Sequence, residues 1–164
     1  MKEARRVVIT GIGTINALGN NIEEYFSNLE KGVSGAREIT LFDATNFKSR
    51  IACEVKNYDW TKYFDRKEAR KYDRFCQFAL VAATEAVEDA NFDFDTLDKE
   101  RAGVVWSSGI GGIQSFQNEV VGWAEGDGIP RFSPFLVPHL ITDIAAGHIS
   151  IKYGLMGPNY SVTS

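Results

Sequence analysis

Short runs of β-branched residues that end in glycine turns alternate with amphipathic segments along this chain. Residues 6–10 (RVVIT) form one such run and lead into the turn at residues 11–13, and residues 102–106 (AGVVW) form another that leads into a glycine-rich loop. Such runs are typical of buried strands, and their alternation with helices is typical of α/β proteins. We therefore predict a layered α/β fold with a mainly parallel sheet that is covered by helices.

Hydrophobic periodicity predicts helices between these runs. Asn21 is the expected N-cap of the first helix, which Gly32 ends. Asp65 should open the longest helix, which continues to Asn91. Its apolar stripe consists of Phe75, Ala79, Ala82, Ala86 and Ala90.

The second half of the chain should contain two further helices. One extends to about Glu125, and the other covers residues 139–153 before Gly154. The face that packs this last helix should consist of Leu140, Ile144, Gly147 and Ile151. Residues 50–55 and 159–164 have the pattern of additional strands.

The composition suits one globular domain and gives no general reason to bind nucleic acid or an anionic membrane. The chain has 164 residues, of which 44% are apolar, and a formal net charge of −4. A core can therefore form, whereas attraction to an acidic partner would need a local basic patch. The apolar run near the N-terminus is too short for a signal peptide, and no segment approaches a membrane span. We expect a cytoplasmic protein.

Two glycine motifs resemble dinucleotide-binding loops only in part. The third glycine of such a loop is replaced by Asn16 in the first motif and by Gln114 in the second. We interpret these glycines as positions where loop backbone passes close to a core or to a ligand channel.

The cysteines and histidines indicate no site chemistry by themselves. Two of each, without the spacing of metal ligands, favour neither a disulfide framework nor a metal centre. We interpret His148 as a hydrogen-bonded structural histidine and assign no chemistry to His139. Cys53 and Cys76 lack the evidence of a nearby base that a nucleophilic thiolate requires.

Four basic residues recur at helical spacing within the longest predicted helix. Lys67, Arg70, Lys71 and Arg74 would lie on one face, opposite the apolar stripe. Spacing alone allows two interpretations, a solvated helix face or a docking patch for an acidic protein or a phosphate.

Six stretches, in this order and approximate spacing, resemble the ketosynthase family of the thiolase-like fold. They are residues 6–13 (RVVITGIG), 65–71 (DRKEARK), 108–112 (SGIGG), 132–135 (FSPF), 145–148 (AAGH) and 153–158 (YGLMGP). The match covers essentially the whole chain. The isoleucine of SGIGG and the SPF sequence resemble the synthase II class of this family more than synthase I.

The resemblance implies the layered α/β/α/β/α fold of thiolase-like proteins, with residues 1–164 as the N-terminal half of a ketosynthase domain. In the family, the segment that matches residues 161–164 leads into the nucleophilic cysteine. We therefore expect this chain to end just before that cysteine and to contain no catalytic residue. The strand-like alternation of its last residues, which lacks a turn or cap, also indicates an interrupted polypeptide.

The implied activity is that of a β-ketoacyl-[acyl-carrier-protein] synthase, an acyltransferase of fatty acid elongation. Such an enzyme joins an acyl thioester to malonyl-carrier protein in a decarboxylative Claisen condensation. It needs no cofactor of its own, because phosphopantetheine arrives on the acyl carrier protein.

The resemblance also implies roles for particular residues. Ile110 would line or gate the acyl pocket, and the partner subunit of a homodimer would close that pocket with Phe135, Leu136 and Val137. Basic positions that dock the acyl carrier protein match Lys67, Arg70, Lys71 and Arg131. This match favours the docking interpretation over the solvated face.

Three alternatives remain open at the level of sequence. The chain could belong to a non-catalytic partner of the chain-length-factor type, which keeps the fold but lacks the cysteine. It could belong to a polyketide-type ketosynthase with the same mechanism and another acyl range. A self-sufficient small binding domain is disfavoured, since an unpaired strand at the end of the chain would promote aggregation.

Overall fold

Residues 5–162 are described by a computed structural model, and within this range helices and short strands alternate. In chain order these are α1 (Ile22–Glu30), β1 (Arg37–Glu38), β2 (Ile51–Ala52), a 3-10 helix (Trp60–Lys62), α2 (Arg66–Ala69), α3 (Arg74–Asp89), a 3-10 helix (Lys99–Arg101), β3 (Val104–Val105), α4 (Ile113–Ala124), α5 (Leu136–Leu140), α6 (Ile144–Tyr153) and β4 (Asn159–Tyr160). The predicted α/β class is confirmed. None of the helices in the described range is long and apolar enough to cross a membrane.

The strands pair in two separate two-stranded sheets. β1 is antiparallel to β2, whereas β3 is parallel to β4, with Val104 opposite Asn159. The strands predicted within residues 102–106 and 159–164 are confirmed in part, and residues 163–164 lie outside the described range. Pairing is less extensive than the covered, mainly parallel sheet predicted above, because each described strand has a single partner and only one of the two pairs is parallel.

The chain divides into two compact units. The first comprises residues 5–58 and 81–92, and the second comprises residues 59–80 and 93–162. The buried apolar residues of the first unit are Val81 and Ala82. Those of the second are Cys76, Ala79, Leu80, Val104, Ala145, Ala146 and Ile149.

In the first unit, the glycines of residues 11–13 allow the backbone to pass directly over α3. A Cβ at Gly11 would overlap the carbonyl oxygen of Ala86, and a Cβ at Gly13 would overlap that of Ala82. Only glycine permits this approach. The interpretation of these glycines as positions of close backbone passage next to a core is confirmed.

The buried strand predicted at residues 6–10 is not formed. These residues are assigned no strand, and Val7 and Ile9 are 89% and 85% exposed. The physical reason is that no strand in the described part of the chain pairs with them, so their β propensity has no ladder to join.

The first helix has the predicted ends. The side chain of Asn21 accepts a hydrogen bond from the amide of Glu24 (2.8 Å), and Gly32 follows the helix with a φ of 65°. The preceding chain is held by Glu85 of α3, whose carboxylate accepts from the amides of Thr14 (2.8 Å) and Ile22 (2.7 Å).

The longest predicted helix is interrupted. Asp65 opens it with a capping box to Glu68, as predicted, but α2 ends at Ala69 and α3 begins only at Arg74. The side-chain amide of Gln77 donates to the carbonyls of Ala69 (3.3 Å) and Tyr72 (3.1 Å), which stabilises the interruption.

The last predicted helix is also divided, and its predicted packing face is wrong. α5 ends at Leu140 and α6 begins at Ile144, while Gly154 ends α6 in the left-handed conformation as expected. Ile151 is 79% exposed. The side chains of α6 that are buried belong to Ala145, Ala146, Ile149 and Ser150.

Candidate functional site

Two segments with predicted acyl-pocket residues lie against each other in the second unit. The glycine loop, residues 108–112, meets the end of α5, where the amide of Gly112 donates to the carbonyl of Leu140 (3.4 Å). A Cβ at Gly111 would overlap the carbonyl oxygen of Leu140, and one at Gly112 would overlap that of His139. The two backbones therefore meet at a distance that only glycine allows.

The predicted acyl-pocket side chains belong to these two segments and are mostly exposed. Ile110 in the glycine loop is 65% exposed. At α5, Leu136 is half-buried, whereas Phe135 and Val137 are exposed. Apolar side chains that remain exposed beside one junction are available to contact a ligand or another chain.

The start of α5 is fixed by Ser133. Its hydroxyl accepts from the amide of Phe135 (3.1 Å), and its carbonyl accepts from the amide of Leu136 (3.0 Å). The amide of Ser133 in turn donates to the carboxylate of Glu119 on α4 (3.1 Å). The short SPF sequence thus orients Phe135 through local hydrogen bonds and a contact with the neighbouring helix.

The interruption between α2 and α3 brings a third segment to the same junction. We call residues 70–73 the basic turn. Nε2 of His139 lies 3.2 Å from the carbonyl oxygen of Arg70, and the His139 ring stacks on Phe135 with centroids 6.0 Å apart. His139, to which the sequence assigned no chemistry, therefore connects α5 to the basic turn.

The predicted docking residues of this region are exposed, but they do not share one face of a continuous helix. Lys67 lies on α2, Arg70 and Lys71 lie in the basic turn, and Arg74 opens α3 with its guanidinium 5.2 Å from the ring centre of Phe78. The prediction of a single basic helix face is wrong for this reason. Ion pairs of the described residues do not include Lys67, Arg70 or Lys71.

Arg131 differs from the other predicted docking residues because its charge is offset. Its guanidinium donates two hydrogen bonds to the carboxylate of Asp127 (3.2 and 2.8 Å), and both side chains are exposed. Arg131, followed by the amide of Ile129, lowers the pKa of Asp127. The pair lies at a cavity of about 340 Å³ that Trp123 and Phe132 also line.

His148 is a packed histidine without the expected hydrogen bond at Nε2. This atom is buried and has no hydrogen-bond partner among residues 5–162, while the ring makes an edge contact with Tyr72 at 4.7 Å. Burial first, and then the charge of Lys71, lowers the pKa of His148. The prediction of a hydrogen-bonded histidine is therefore not met at Nε2, whereas the packing supports its structural role.

The cysteines do not form a nucleophilic site in the described structure. Cys76 is 1% exposed, and burial, followed by the charge of Asp73, raises the pKa of its thiol to about 12. A thiol with this pKa is not a thiolate at neutral pH. Cys53 is exposed, and both cysteines are free. The described side chains also contain no cluster of three potential metal ligands.

Asp73 and Ser115 are contact residues that the sequence did not identify. The buried carboxylate of Asp73 accepts hydrogen bonds from the amide of Phe75 (3.0 Å) and from the hydroxyl of Ser115. An acidic residue just before a helix is a common capping signal. The predicted uninterrupted helix concealed it, because Asp73 would then have been an interior residue.

Comparison with known proteins assigns the whole chain to one group. The family described as “Beta-ketoacyl synthase, N-terminal domain” matches residues 4–164. The 3-oxoacyl-[acyl-carrier-protein] synthase 2 of Staphylococcus aureus (strain COL) is 44% identical over 160 residues, which are 97% of this chain and 38% of that protein. The chain therefore spans well under half the length of the curated relatives it matches.

Solved structures show the same similarity. The ishigamide ketosynthase/chain length factor superposes with a TM-score of 0.82 at 29% identity, over 97% of this chain and 40% of that chain. A type II PKS ketosynthase, solved with its acyl-carrier protein and bound to the hexaketide, gives a TM-score of 0.72 at 25% identity, over 97% and 41% of the two chains.

Proposed function

This chain belongs to the β-ketoacyl synthase family, and from that premise we propose that it is the N-terminal part of a 3-oxoacyl-[acyl-carrier-protein] synthase of the synthase II class. The thiolase-like α/β fold expected from the resemblance is confirmed by the family match and by the superposed ketosynthases. The observation that carries the proposal is the 44% identity to a named 3-oxoacyl-[acyl-carrier-protein] synthase 2 along 97% of the chain.

The proposed reaction is a decarboxylative Claisen condensation. A cysteine thiolate beyond this segment attacks the acyl thioester and releases the phosphopantetheine thiol of the carrier protein. Malonyl-carrier protein then loses carbon dioxide, and the resulting enolate attacks the acyl-enzyme carbonyl, forms the new carbon–carbon bond and expels the cysteine thiolate. The described residues supply none of these reacting groups, and their proposed roles are to bind and to orient.

The proposed role of the glycine loop and α5 is to line the acyl channel. Ile110 would gate it, and the exposed side chains before and within α5 would close the channel of the second subunit in a homodimer. Their exposure supports this role, since Phe135 and Val137 are left without full burial in the described chain.

The proposed role of the basic residues is to dock the acyl carrier protein. Lys67, Arg70 and Lys71 present exposed charges without ion-pair partners among the described residues, on a chain whose net charge is −4. A ketosynthase of similar fold has been solved with its acyl-carrier protein. Arg131 would contribute only by exchanging its contact with Asp127 for one with the carrier protein.

The second candidate is a non-catalytic partner of the chain-length-factor type. The similarity of this chain to a solved ketosynthase/chain length factor supports this candidate. A polyketide-type ketosynthase differs from the main proposal in its acyl range. For all of these candidates we propose that the complete protein is cytoplasmic. For the two catalytic candidates, the synthase and the polyketide-type ketosynthase, we propose acyl and malonyl thioesters as substrates.

The test is a condensation assay on the full-length polypeptide that carries this segment. Acyl- and malonyl-carrier protein should yield carbon dioxide and a 3-oxoacyl product two carbons longer, which mass spectrometry detects on the carrier protein. If the polypeptide forms no product alone but activates a second ketosynthase subunit, the chain-length-factor candidate replaces the main proposal. If it does neither, both proposals are withdrawn.

A further inference from the structure

Asp73 is a buried carboxylate at the junction of the basic turn, α4 and the glycine loop. Its side chain is polar and charged, yet the residue is only 8% exposed. One carboxylate oxygen accepts from the amide of Phe75 and the other accepts from the hydroxyl of Ser115 on the first turn of α4. The second oxygen would lie 2.8 Å from a Cβ at Gly112, so the carboxylate also packs against the end of the glycine loop.

This contact matters for the position of the loop because it holds the N-terminal turn of α4, whereas the contact of α4 with Ser133 is made by Glu119, further along the helix. None of the side chains of α4 is fully buried, and no side-chain cap holds its N-terminus. A buried carboxylate, by contrast, is costly to leave without its donors. The Asp73–Ser115 hydrogen bond therefore fixes the first turn of α4, and with it the end of the glycine loop.

The basic turn also holds the other segment of the proposed acyl channel. Through the carbonyl of Arg70 it contacts His139 of α5, while the carbonyls of His139 and Leu140 pack on the glycine loop. Asp73 thus belongs to a closed set of contacts that joins the turn, the loop and α5. Both oxygens of its carboxylate are occupied within this set, which fits a positioning role.

We propose that Asp73 is a positioning residue for acyl-chain selection, which acts through Ser115 to set the glycine loop and thereby Ile110. This inference rests on the proposed function of Ile110 as the gate of the acyl channel. Loss of the hydrogen bond loosens the gate, so long acyl groups gain relative to short ones.

The test compares the specificity constants for dodecanoyl- and hexanoyl-carrier protein in the full-length polypeptide. Ser115→Ala should raise the ratio of the dodecanoyl to the hexanoyl specificity constant by about 3-fold or more, which is within the effect expected from the loss of one hydrogen bond. Ser115→Thr keeps the hydroxyl and should keep the ratio. In an Ile110→Gly background, Ser115→Ala should change the ratio no further, since the gate is already removed.

Thr40→Val is the matched control. It removes a hydroxyl that donates to the buried carboxylate of Glu54 (2.7 Å) in the first unit, so it also takes a hydroxyl donor from a buried carboxylate, but not from Asp73. An equal loss for both acyl groups in Ser115→Ala, a shift that persists in Ile110→Gly, or the same shift in Thr40→Val would overturn the proposal.

Hydrogen exchange separates this inference from the proposed function. The amides of residues 111–113 should exchange faster in Ser115→Ala than in the wild type or in Thr40→Val. Faster exchange together with an inactive wild type would contradict the proposed function while supporting the positioning of the loop by Asp73. Unchanged exchange would overturn the positioning role whatever the activity.

Discussion

At the scale of single residues, Glu54 shows how one carboxylate holds a loop of this chain. It accepts from the amide (2.9 Å) and hydroxyl (2.7 Å) of Thr40 and from the amide of Leu41 (3.2 Å), and it is ion-paired with Lys56. The contact with Lys56, followed by those with Thr40, lowers the pKa of Glu54 from 4.5 to about 2. The folded state therefore favours the ionised carboxylate.

The stability contributed by Glu54 should consequently depend on pH. It is present above the ordinary pKa of 4.5 and is lost as the pH falls toward about 2, because the unfolded state takes up the proton first. Melting temperatures of the full-length polypeptide across this window should fall less steeply in Glu54→Gln than in the wild type. Glu23→Gln, which changes an exposed carboxylate on α1, is the control. Identical slopes for Glu54→Gln and the wild type would contradict the assignment.

Ile110 carries the prediction about substrate choice. Ile110→Phe adds bulk to the proposed gate, and overpacking of this kind costs about 1–3 kcal/mol. Turnover of long acyl groups should therefore fall more than turnover of short ones, measured as kcat/KM for each acyl-carrier protein. Ile151→Phe, at an exposed position of α6, should leave the ratio unchanged. Equal losses across chain lengths would remove Ile110 from the acyl channel.

At the scale of elements, two glycines with nearly the same positive φ allow a matched experiment. Gly111 and Gly128 have φ values of 77° and 76°. A Cβ at Gly111 would overlap the carbonyl of Leu140, whereas a Cβ at Gly128 would meet nothing within 4 Å. The two positions therefore share the strain of a positive φ and differ in the steric contact.

Gly128→Ala should cost about 1–2 kcal/mol for the left-handed backbone alone. Gly111→Ala should cost this amount plus about 1–3 kcal/mol for the overlap with α5. The free energy of unfolding, measured by denaturant titration of the full-length polypeptide, gives both values. Equal losses in the free energy of unfolding for Gly111→Ala and Gly128→Ala would show that the glycine loop is not in close steric contact with α5.

The element ends that the sequence predicted well depend on local interactions. Asn21 bonds to an amide three residues away, and Gly32 and Gly154 adopt a positive φ within two residues of the ends of their helices. Each of these signals acts within one turn of helix, so it can be recognised in the sequence without knowledge of the tertiary fold.

The break between α2 and α3 could not be predicted in the same way, because a distant contact stabilises it in addition to the local hydrogen bonds of Gln77. The carboxylate of Asp73 is engaged by Ser115, which is 42 residues away in the chain. Periodicity also failed to identify the buried face of α6. Most of its side chains are apolar or small, so the buried Ala145 and Ile149 and the exposed Ile151 are equally compatible with the sequence pattern.

At the scale of the whole molecule, the fold class and family could be predicted because six motifs extend over nearly the entire chain. The way in which the segments of the candidate site come together could not be predicted from the sequence. The basic turn, the glycine loop and α5 are far apart in sequence, and only the structure places Arg70 next to His139 and Gly111 next to Leu140. The family resemblance predicted which residues belong to the candidate site, whereas their contacts with one another are known only from the folded structure.

We propose that this arrangement receives a carrier protein beside an acyl channel. The most direct measurement is the Michaelis constant of the full-length polypeptide for acyl-carrier protein after combining Lys67→Glu with Lys71→Glu. It should rise several-fold, and the effect should shrink with salt, because the Debye length falls from about 10 Å at 0.1 M to about 3 Å at 1 M. Stability should hardly change, since exposed charges contribute little.

Two controls define the outcome. A short pantetheine thioester, which carries the reacting group without the acidic protein, should be turned over as well by the double variant as by the wild type. Lys31→Glu combined with Lys48→Glu makes the same charge change at exposed lysines of the first unit and should leave the constant for acyl-carrier protein unchanged. Equal loss on the pantetheine substrate, or an equal rise in the control variant, would contradict the proposed docking of the carrier protein by Lys67 and Lys71.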